Sequence, residues 1–132
     1  MIVADTSPVV HALVSEDHRD VVEQVRHADN DWIAPPLWAS EFRNVIATHV
    51  RTGRLPASKA NQIWRVGRDL VRDAPIDPDA VLSLALDRQM SAYDAEFASL
   101  AMTLGTKVVT FDGGLFRTCP DLALGPEAFL AS

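Results

Sequence analysis

Two short stretches near opposite ends of the chain decide the fold: Met1-Ile2-Val3-Ala4-Asp5-Thr6-Ser7-Pro8 and Lys107-Val108-Val109-Thr110-Phe111-Asp112-Gly113-Gly114. Each contains a short apolar run rich in β-branched residues, which predicts a buried strand, and an acid follows each run at once. After the first run, Ser7 can cap a helix and Pro8 can occupy its first turn. After the second run, the Asp-Gly-Gly sequence predicts a turn.

Apolar residues at helical spacing fill most of the interval between these two strands. They predict helices after Ser7 and over residues 17 to 29, 36 to 50, 57 to 73, 79 to 90 and 93 to 105. Further short strands are predicted at residues 32 to 34 and near residues 122 to 124. Because helices separate the strands too widely for hairpins, we predict one α/β domain over residues 1 to 132, with a short, mainly parallel central sheet flanked by helices.

The bulk composition fits an ordered protein of this class. The chain has 132 residues, of which 48% are hydrophobic and 23% are charged, close to the globular average. Cys119 is the one cysteine, and the sequence starts without the basic residues and long apolar stretch of a signal peptide. No apolar run approaches the roughly 20 residues that span a bilayer. We therefore expect a cytoplasmic protein without a membrane association.

The net charge of -6 conceals a strong asymmetry along the chain. Residues 43 to 72, called the basic segment below, contain a single acid, Asp69, and seven basic residues: Arg43, Arg51, Arg54, Lys59, Arg65, Arg68 and Arg72. The negative total argues against a protein that coats nucleic acid. The basic segment itself fits either a solvated helix face or a binding site for a polyanion, and both interpretations stay open at this point.

Four acids are the candidate functional residues. In open α/β sheets, ligands bind beyond the carboxyl ends of the strands, which is where Asp5 and Asp112 stand if their two strands are parallel neighbours. Glu41 lies within the apolar stripe of its helix, where an unpaired carboxylate is costly. Asp94 is in the first turn of a helix whose face continues through small residues, which would allow it to pack close to the strand ends.

Three of these acids also have an ordinary structural explanation. Asp5 can cap the following helix, Asp94 can complete a capping box begun at Ser91, and Asp112 can belong to an Asp-Gly turn. Together, however, four converging carboxylates repel one another unless a cation shares the site, and Mg²⁺ or Mn²⁺ prefers such oxygen ligands. Zinc is disfavoured because no ligand spacing joins Cys119 with the four histidines, which we interpret as structural or surface residues: His11, His18, His27 and His49.

The order of these motifs along the chain resembles PIN domains. The matching features are Asp5-Thr6-Ser7 after the first strand, Glu41 in the third helix, Tyr93-Asp94-Ala95 opening a helix, and Thr110-Phe111-Asp112 after a late strand. The resemblance covers nearly the whole chain and is closest to the small VapC toxins. It implies a PIN-like α/β/α sandwich and an endoribonuclease that depends on Mg²⁺ or Mn²⁺. The Gly113-Gly114 pair departs from the more polar sequence of many relatives.

The resemblance also implies roles and partners. Asp5, Glu41, Asp94 and Asp112 match the family's four acidic positions, while Thr6 or Ser7 and Thr110 match its flanking hydroxyls. A small VapB-like antitoxin and a homodimer are implied as partners. RNA is the implied substrate, and we expect the basic segment to bind its backbone, first through Arg65, Arg68 and Arg72 on one helical face, then through Arg43, Arg51 and Arg54. The nearby acids Asp17 and Glu96 are interpreted as surface residues.

Other functions fit parts of the pattern. Receiver and phosphatase proteins also place acids at strand ends around Mg²⁺, but Ser7 stands where a phosphatase has its second aspartate, and Lys107 begins a strand that a receiver lysine would end. A PIN-like module that binds RNA or protein without cleavage is an alternative of another class. So is a PIN nuclease of RNA processing that has no antitoxin.

Overall fold

Five strands and eight helices make up the computed structural model, which describes residues 1 to 132. In chain order they are β1 (Ile2–Ala4), α1 (Thr6–Leu13), α2 (Arg19–Ala28), β2 (Trp32–Ala34), α3 (Leu37–Arg51), α4 (Ala57–Leu70), β3 (Val71–Asp73), α5 (Pro78–Arg88), α6 (Ala92–Leu104), β4 (Val108–Val109), α7 (Gly113–Thr118), β5 (Ala123–Leu124) and α8 (Pro126–Ala131).

The strands form one sheet in the order β3-β2-β1-β4-β5, and every pair is parallel. The predicted α/β fold with a parallel sheet is therefore confirmed. Because crossovers between parallel strands are right-handed, α1 to α4 cover one face of the sheet while α5 and α6 cover the other. The strand order reverses between β1 and β4, which are direct neighbours, with Val3 opposite Val108 and Ala4 opposite Val109.

The core lies on both sides of these short strands. All residues of β1, β2 and β4 are buried, and the fully buried rings of Trp38 and Phe42 on α3 pack against them. Gly67 lets α4 approach α3 closely, because a side chain there would collide with the ring of Phe42. A smaller apolar cluster joins α5 to α6 and includes the buried Cys119.

The sequence prediction is wrong where α4 ends. A helix was expected to continue to Asp73, but the last three residues form β3, in which Val71 pairs with Trp32 and Arg72 with Ile33. Arg72 therefore does not share a helical face with Arg65 and Arg68. Pairing with β2 buries Val71 and overrides a local pattern that fits a helix equally well.

Two short helices near the carboxyl end were not predicted. Gly113 and Gly114, expected to form a turn, are the first residues of α7, and α8 follows the last strand. Both helices are only six residues long, so they offer little periodicity to detect. No helix combines the length and the apolar character required to cross a bilayer.

Candidate active site

The site lies where the strand order of the sheet reverses. Asp5 directly follows β1, and Thr110 and Asp112 follow β4, its parallel neighbour. In open parallel sheets, this point beyond the carboxyl ends of the strands is where ligands bind. A pocket of about 290 Å³ opens there, lined by Asp5, Thr6, Ser7, Val10, His11, Glu41, Val45, Asp94 and Asp112. The structure thus brings the four sequence-selected acids into one pocket.

Asp5 is held by donors from both sides of the site. Its Oδ1 accepts a hydrogen bond from the backbone N–H of Thr6 at 2.8 Å, which caps α1, and its Oδ2 accepts one from the Thr110 hydroxyl at 2.6 Å. Thr110 is completely buried. The Asp5 carboxylate therefore both caps α1 and lines the pocket, and the Thr110 hydroxyl that follows β4 fixes its orientation.

The hydroxyls around Thr110 form a directed network. Because the Thr110 proton goes to Asp5, its oxygen can only accept, and it accepts from the backbone N–H of Asp112 at 2.9 Å. The Ser7 hydroxyl lies 3.5 Å away and is left as the donor of that contact, while its own oxygen accepts from the N–H of Phe111 at 3.0 Å. These bonds fasten the start of α1 to the segment after β4.

Glu41 enters the pocket from α3 and is half-buried. Its Oε1 accepts a hydrogen bond from the Thr6 hydroxyl at 2.8 Å, and its Oε2 is in no hydrogen bond with the protein. The sequence pattern required a compensating partner for this carboxylate, and Thr6 supplies one. Thr6 therefore donates through its backbone to Asp5 and through its side chain to Glu41.

Asp94 and Asp112 both stand at helix starts. Ser91 caps α6 by accepting from the Asp94 N–H at 3.1 Å, and the Ser91 side chain also stabilises the ionised Asp94 carboxylate. Asp112 caps α7 by accepting from the Gly114 N–H at 3.0 Å. Both acids therefore take part in the start of a helix, and both also line the pocket.

Burial and mutual repulsion raise the pKa of three of the acids. For Asp5 the main cause is burial, and the charges of Asp112 and Asp94 add to it against the lowering effect of its two donors. For Glu41, burial is again first, followed by the opposing Thr6 bond and the charges of neighbouring acids. The pKa of Asp94 is raised by burial and by the charge of Asp112, against the lowering effect of a hydrogen bond with Ser91. The pocket therefore holds more negative charge than its own donors neutralise.

The donor chemistry of the pocket fits a hydrated divalent cation. In the conformation described, no three His, Cys, Asp or Glu side chains form a complete ligand group. Mg²⁺, however, usually keeps several of its waters and is bound through one or two carboxylates, so it needs no protein cage. Four carboxylates in one pocket, three of them with a raised pKa, supply the oxygen ligands and the excess charge that such an ion would offset.

One residue of the pocket, His11, was not among the site residues selected from the sequence, and Glu96 lies closer to the site than was expected. His11 was expected to be a structural or surface residue; it lines the pocket one helical turn beyond Ser7, and its Nδ1 lies 2.9 Å from the Ser15 hydroxyl. Burial and the neighbouring His18 lower the pKa of His11. Glu96 was expected at the surface, but it is partly buried, which raises its pKa, and its charge acts on Glu41. The spacing of four residues between Ser7 and His11 places both on one face of α1, and this was the feature of the sequence that could have identified His11. Asp17 is exposed, as expected.

None of the arginines selected as RNA-binding candidates lines the acidic pocket. Arg72 forms an ion pair with Asp31 at 2.8 Å, and Arg68 borders the same hollow. Asp31 precedes β2, so these two arginines lie at the amino end of that strand, opposite the acids. Arg65 is exposed on α4 and Arg54 in the α3–α4 turn.

The remaining candidate arginines lie on α3. The Arg43 guanidinium lies 4.9 Å from the centre of the Trp64 ring, and Arg51 donates to the Thr48 hydroxyl. Another cation approaches the site from α7, where Arg117 folds back over Gly113, next to Asp112.

Comparisons with known proteins agree with this architecture. The family model described as "PIN domain" matches residues 2 to 119. The protein named Ribonuclease VapC3 from Pyrobaculum aerophilum is 28% identical over 127 residues, covering 92% of this chain and 96% of that protein. The crystal structure of PAE2754 from Pyrobaculum aerophilum superposes with a TM-score of 0.79 at 22% identity, covering 98% of this chain and 92% of the other.

The chain belongs to the PIN domain family, since the family model covers most of its length. Its resemblance to VapC-type proteins, drawn above from the ordered acids, is confirmed by the similarity to Ribonuclease VapC3. The likeness to PAE2754 adds that the fold is shared almost from end to end.

Proposed function

We propose that this protein is an endoribonuclease that depends on Mg²⁺ or Mn²⁺ and hydrolyses RNA phosphodiester bonds. The observation that carries the proposal is the pocket of four carboxylates, in which three pKa values are raised. Carboxylates arranged in this way suit a metal-assisted reaction at a phosphate. Membership of the PIN domain family and the similarity to a protein named as a ribonuclease support the same reaction class.

Asp5 and Asp94 are the first candidates for direct metal ligands, with Glu41 and Asp112 as further ligands or as acceptors for bound waters. When bound, the ion would supply Lewis acidity, lowering the pKa of an attacking water and offsetting charge on the phosphate. Thr110 and Thr6 orient the Asp5 carboxylate through their donated hydrogen bonds. Glu41 keeps Oε2 free, so this atom is suited to accept the proton of the attacking water.

We also propose that the protein acts in the cytoplasm as the toxin of a type II toxin–antitoxin pair and that a small VapB-like antitoxin holds it inactive. An apolar groove between α3 and α4 suits a helical segment of such a partner; its lining is Arg43, Ile46, Ala47, Val50, Ala57, Ala60, Asn61 and Trp64. Glu41 and Val45 of the same helix α3 line the acidic pocket. A partner in this groove would therefore reach the acids with little additional chain.

The rival functions are separated by two experiments. Incubating an RNA pool with the purified protein, with Mn²⁺ or with EDTA, distinguishes a nuclease from a PIN-like module that binds RNA or protein without cleavage. Expressing the protein in bacteria with and without the neighbouring small gene product distinguishes a toxin from a PIN nuclease of RNA processing. We expect cleavage only with the metal ion, and growth arrest that the small partner relieves. Binding without cleavage under both conditions would favour the non-catalytic module.

A further inference from the structure

A second pocket of about 290 Å³ lies beside the acidic pocket. Its lining is His18, Val21, Thr110, Phe111, Phe116, Gly125, Pro126 and Glu127. We call it the aromatic pocket. It shares a wall with the acidic pocket, because Thr110 lines it and also holds Asp5, while Asp112 on the acidic side directly follows Phe111.

Three rings separate the two pockets. The Phe111 ring stacks on His18, with centroids 4.9 Å apart and planes inclined by 23°, and His11 meets both rings edge-on at 4.5 and 4.8 Å. His11 lines the acidic pocket, whereas His18 lines the aromatic pocket. The contact between His11 and the other two rings therefore joins the lining of one pocket to the lining of the other. The other side of the aromatic pocket carries Phe116, which is 37% exposed.

We propose that the aromatic pocket binds one nucleobase of the RNA whose backbone occupies the acidic pocket, an inference that rests on the proposed function. Proteins bind single-stranded RNA by stacking unpaired bases on aromatic and histidine side chains, and such stacking tolerates any base. The rings of Phe111, His18 and Phe116 provide this surface. Partly exposed rings around a hollow next to the acidic pocket are suited to bind a base.

Glu127 is expected to make the aromatic pocket prefer some nucleobases over others. Its carboxylate stands on the rim and takes part in none of the chain's ion pairs, so it is available to a ligand. A carboxylate accepts hydrogen bonds and donates none, so it favours bases whose edges carry an amino group over uracil, which presents carbonyl oxygens beside its single N–H. The bound base is therefore adenine, cytosine or guanine in preference to uracil.

The test measures the affinity of fluorescently labelled eight-residue RNAs for the Asp94→Asn protein, which is expected to bind without cleaving. One series of RNAs varies the base at a single position in a uridine background. Another replaces that nucleotide by an abasic ribose. Each RNA is measured against the Asp94→Asn protein, which is the parent in this test, and against the same protein carrying His18→Ala, Phe116→Ala or Glu127→Gln as well. Met102→Ala is the matched control, because Met102 is 50% exposed and lies at the end of α6 far from Asp94.

Removing the base should weaken binding to the parent roughly tenfold, within the range for one stacked base. The same abasic RNA should lose almost nothing further with Phe116→Ala or His18→Ala, because the side chain and the base remove one shared interaction. Glu127→Gln should reduce the preference over uracil while leaving the stacking loss intact. Met102→Ala should behave as the parent does.

The inference is overturned if His18→Ala and Phe116→Ala bind all of these RNAs as tightly as the parent, which would leave the aromatic pocket to a protein partner. It is also overturned if removing the base weakens binding to His18→Ala and to Phe116→Ala as much as it weakens binding to the parent. Failure of the proposed function gives a different result: the protein with Asp94 intact cleaves none of the RNAs and no variant binds any of them.

Discussion

The Thr110 hydroxyl donates a hydrogen bond to the Asp5 carboxylate at 2.6 Å, joining residues 105 positions apart in the chain. This contact connects the ends of the two strands at which the sheet order reverses. It also fixes the orientation of an acid whose pKa burial raises. One buried hydroxyl therefore links the fold to the candidate chemistry.

Replacing Thr110 by Val should destabilise the protein by about 1 to 3 kcal/mol at neutral pH, because Asp5 loses a donor and the Asp112 N–H loses its acceptor in a buried site. Thr110→Ser should retain most of the stability. Chemical denaturation measures both. Thr106→Val is the control, since its hydroxyl bonds the Met1 carbonyl at an exposed position. Equal stability of the Thr110→Val and Thr106→Val proteins would show that the buried bond contributes little.

The raised pKa values predict a pH dependence of stability without metal. The pKa of Asp94 in the folded protein is above its ordinary value of 3.8, so the folded protein binds a proton more tightly than the unfolded chain does. The free energy of unfolding therefore falls as pH rises from the ordinary pKa to the raised pKa of the folded protein. Asp94→Asn removes this loss and relieves repulsion in the pocket. In EDTA, the melting temperature of Asp94→Asn should therefore hold or rise relative to the parent between about pH 4 and about pH 8.

Asp87→Asn serves as the control for that series, because Asp87 is exposed on α5. Its melting temperature should stay parallel to that of the parent across the same range. A parent whose stability relative to Asp94→Asn increases with pH would contradict the electrostatic account of the pocket.

The basic segment is expected to bind the RNA backbone, and its two groups of arginines can be compared directly. If about three phosphates are contacted, the affinity should fall about 20-fold between 50 and 200 mM salt, given a slope of roughly -0.7 per phosphate. Arg65, Arg68 and Arg72 were the first group selected, but Arg72 already forms an ion pair with Asp31. Arg43, Arg51 and Arg54 form the second group, and Arg43 belongs to the helix that carries Glu41.

Each group is replaced by Ala in the Asp94→Asn protein, and RNA binding is measured across the salt range. The group that contacts phosphates should give a flatter dependence when removed, and we expect this of the second group because Arg43 shares a helix with Glu41. Unchanged slopes for both triple variants would mean that the basic segment is a solvated face or serves only the antitoxin, and would direct attention to Arg117 beside Asp112.

A homodimer is expected from the family resemblance, and α5 offers an apolar face for it. Leu82 and Leu86 are one helical turn apart and are 56% and 69% exposed. Light scattering should show a dimer at micromolar concentration for the parent and a monomer for Leu86→Lys, with Met102→Lys as a control that remains dimeric. A monomeric parent would refute the prediction, and a dimeric Leu86→Lys protein would move the interface away from α5.

Strands β1 and β3 show which parts of the fold could be predicted from the sequence and which could not. Ile2-Val3-Ala4 is apolar, β-branched and followed by a capping signal, so local pattern and tertiary pairing agree, and the strand with its Asp5 was predictable. Val71-Arg72-Asp73 continues the helical spacing of α4 without a breaking residue. It forms a strand only because it pairs with β2, and the residues around β3 in the sequence do not predict that pairing.

The candidate site divides in the same way. Acids that directly follow strands could be identified, because the ends of parallel strands gather at one edge of a sheet. His11 could not be assigned to the pocket from the sequence, since its position depends on how α1 packs against α3 and the segment after β4. The aromatic pocket depends on the unpredicted helices α7 and α8, which supply Phe116 and Pro126 to its wall.

The most direct test of the central claim is the cleavage rate of a single fluorescent RNA, measured over a titration of Mn²⁺ for the parent, Asp5→Asn, Asp94→Asn and Asp87→Asn, with folding verified by circular dichroism. The account predicts cleavage by the parent and Asp87→Asn that requires the ion. It predicts rates roughly 100-fold or more lower for Asp5→Asn and Asp94→Asn at every metal concentration. Cleavage by the parent that persists in EDTA, or an Asp94→Asn protein that cleaves like the parent at saturating Mn²⁺, would contradict it.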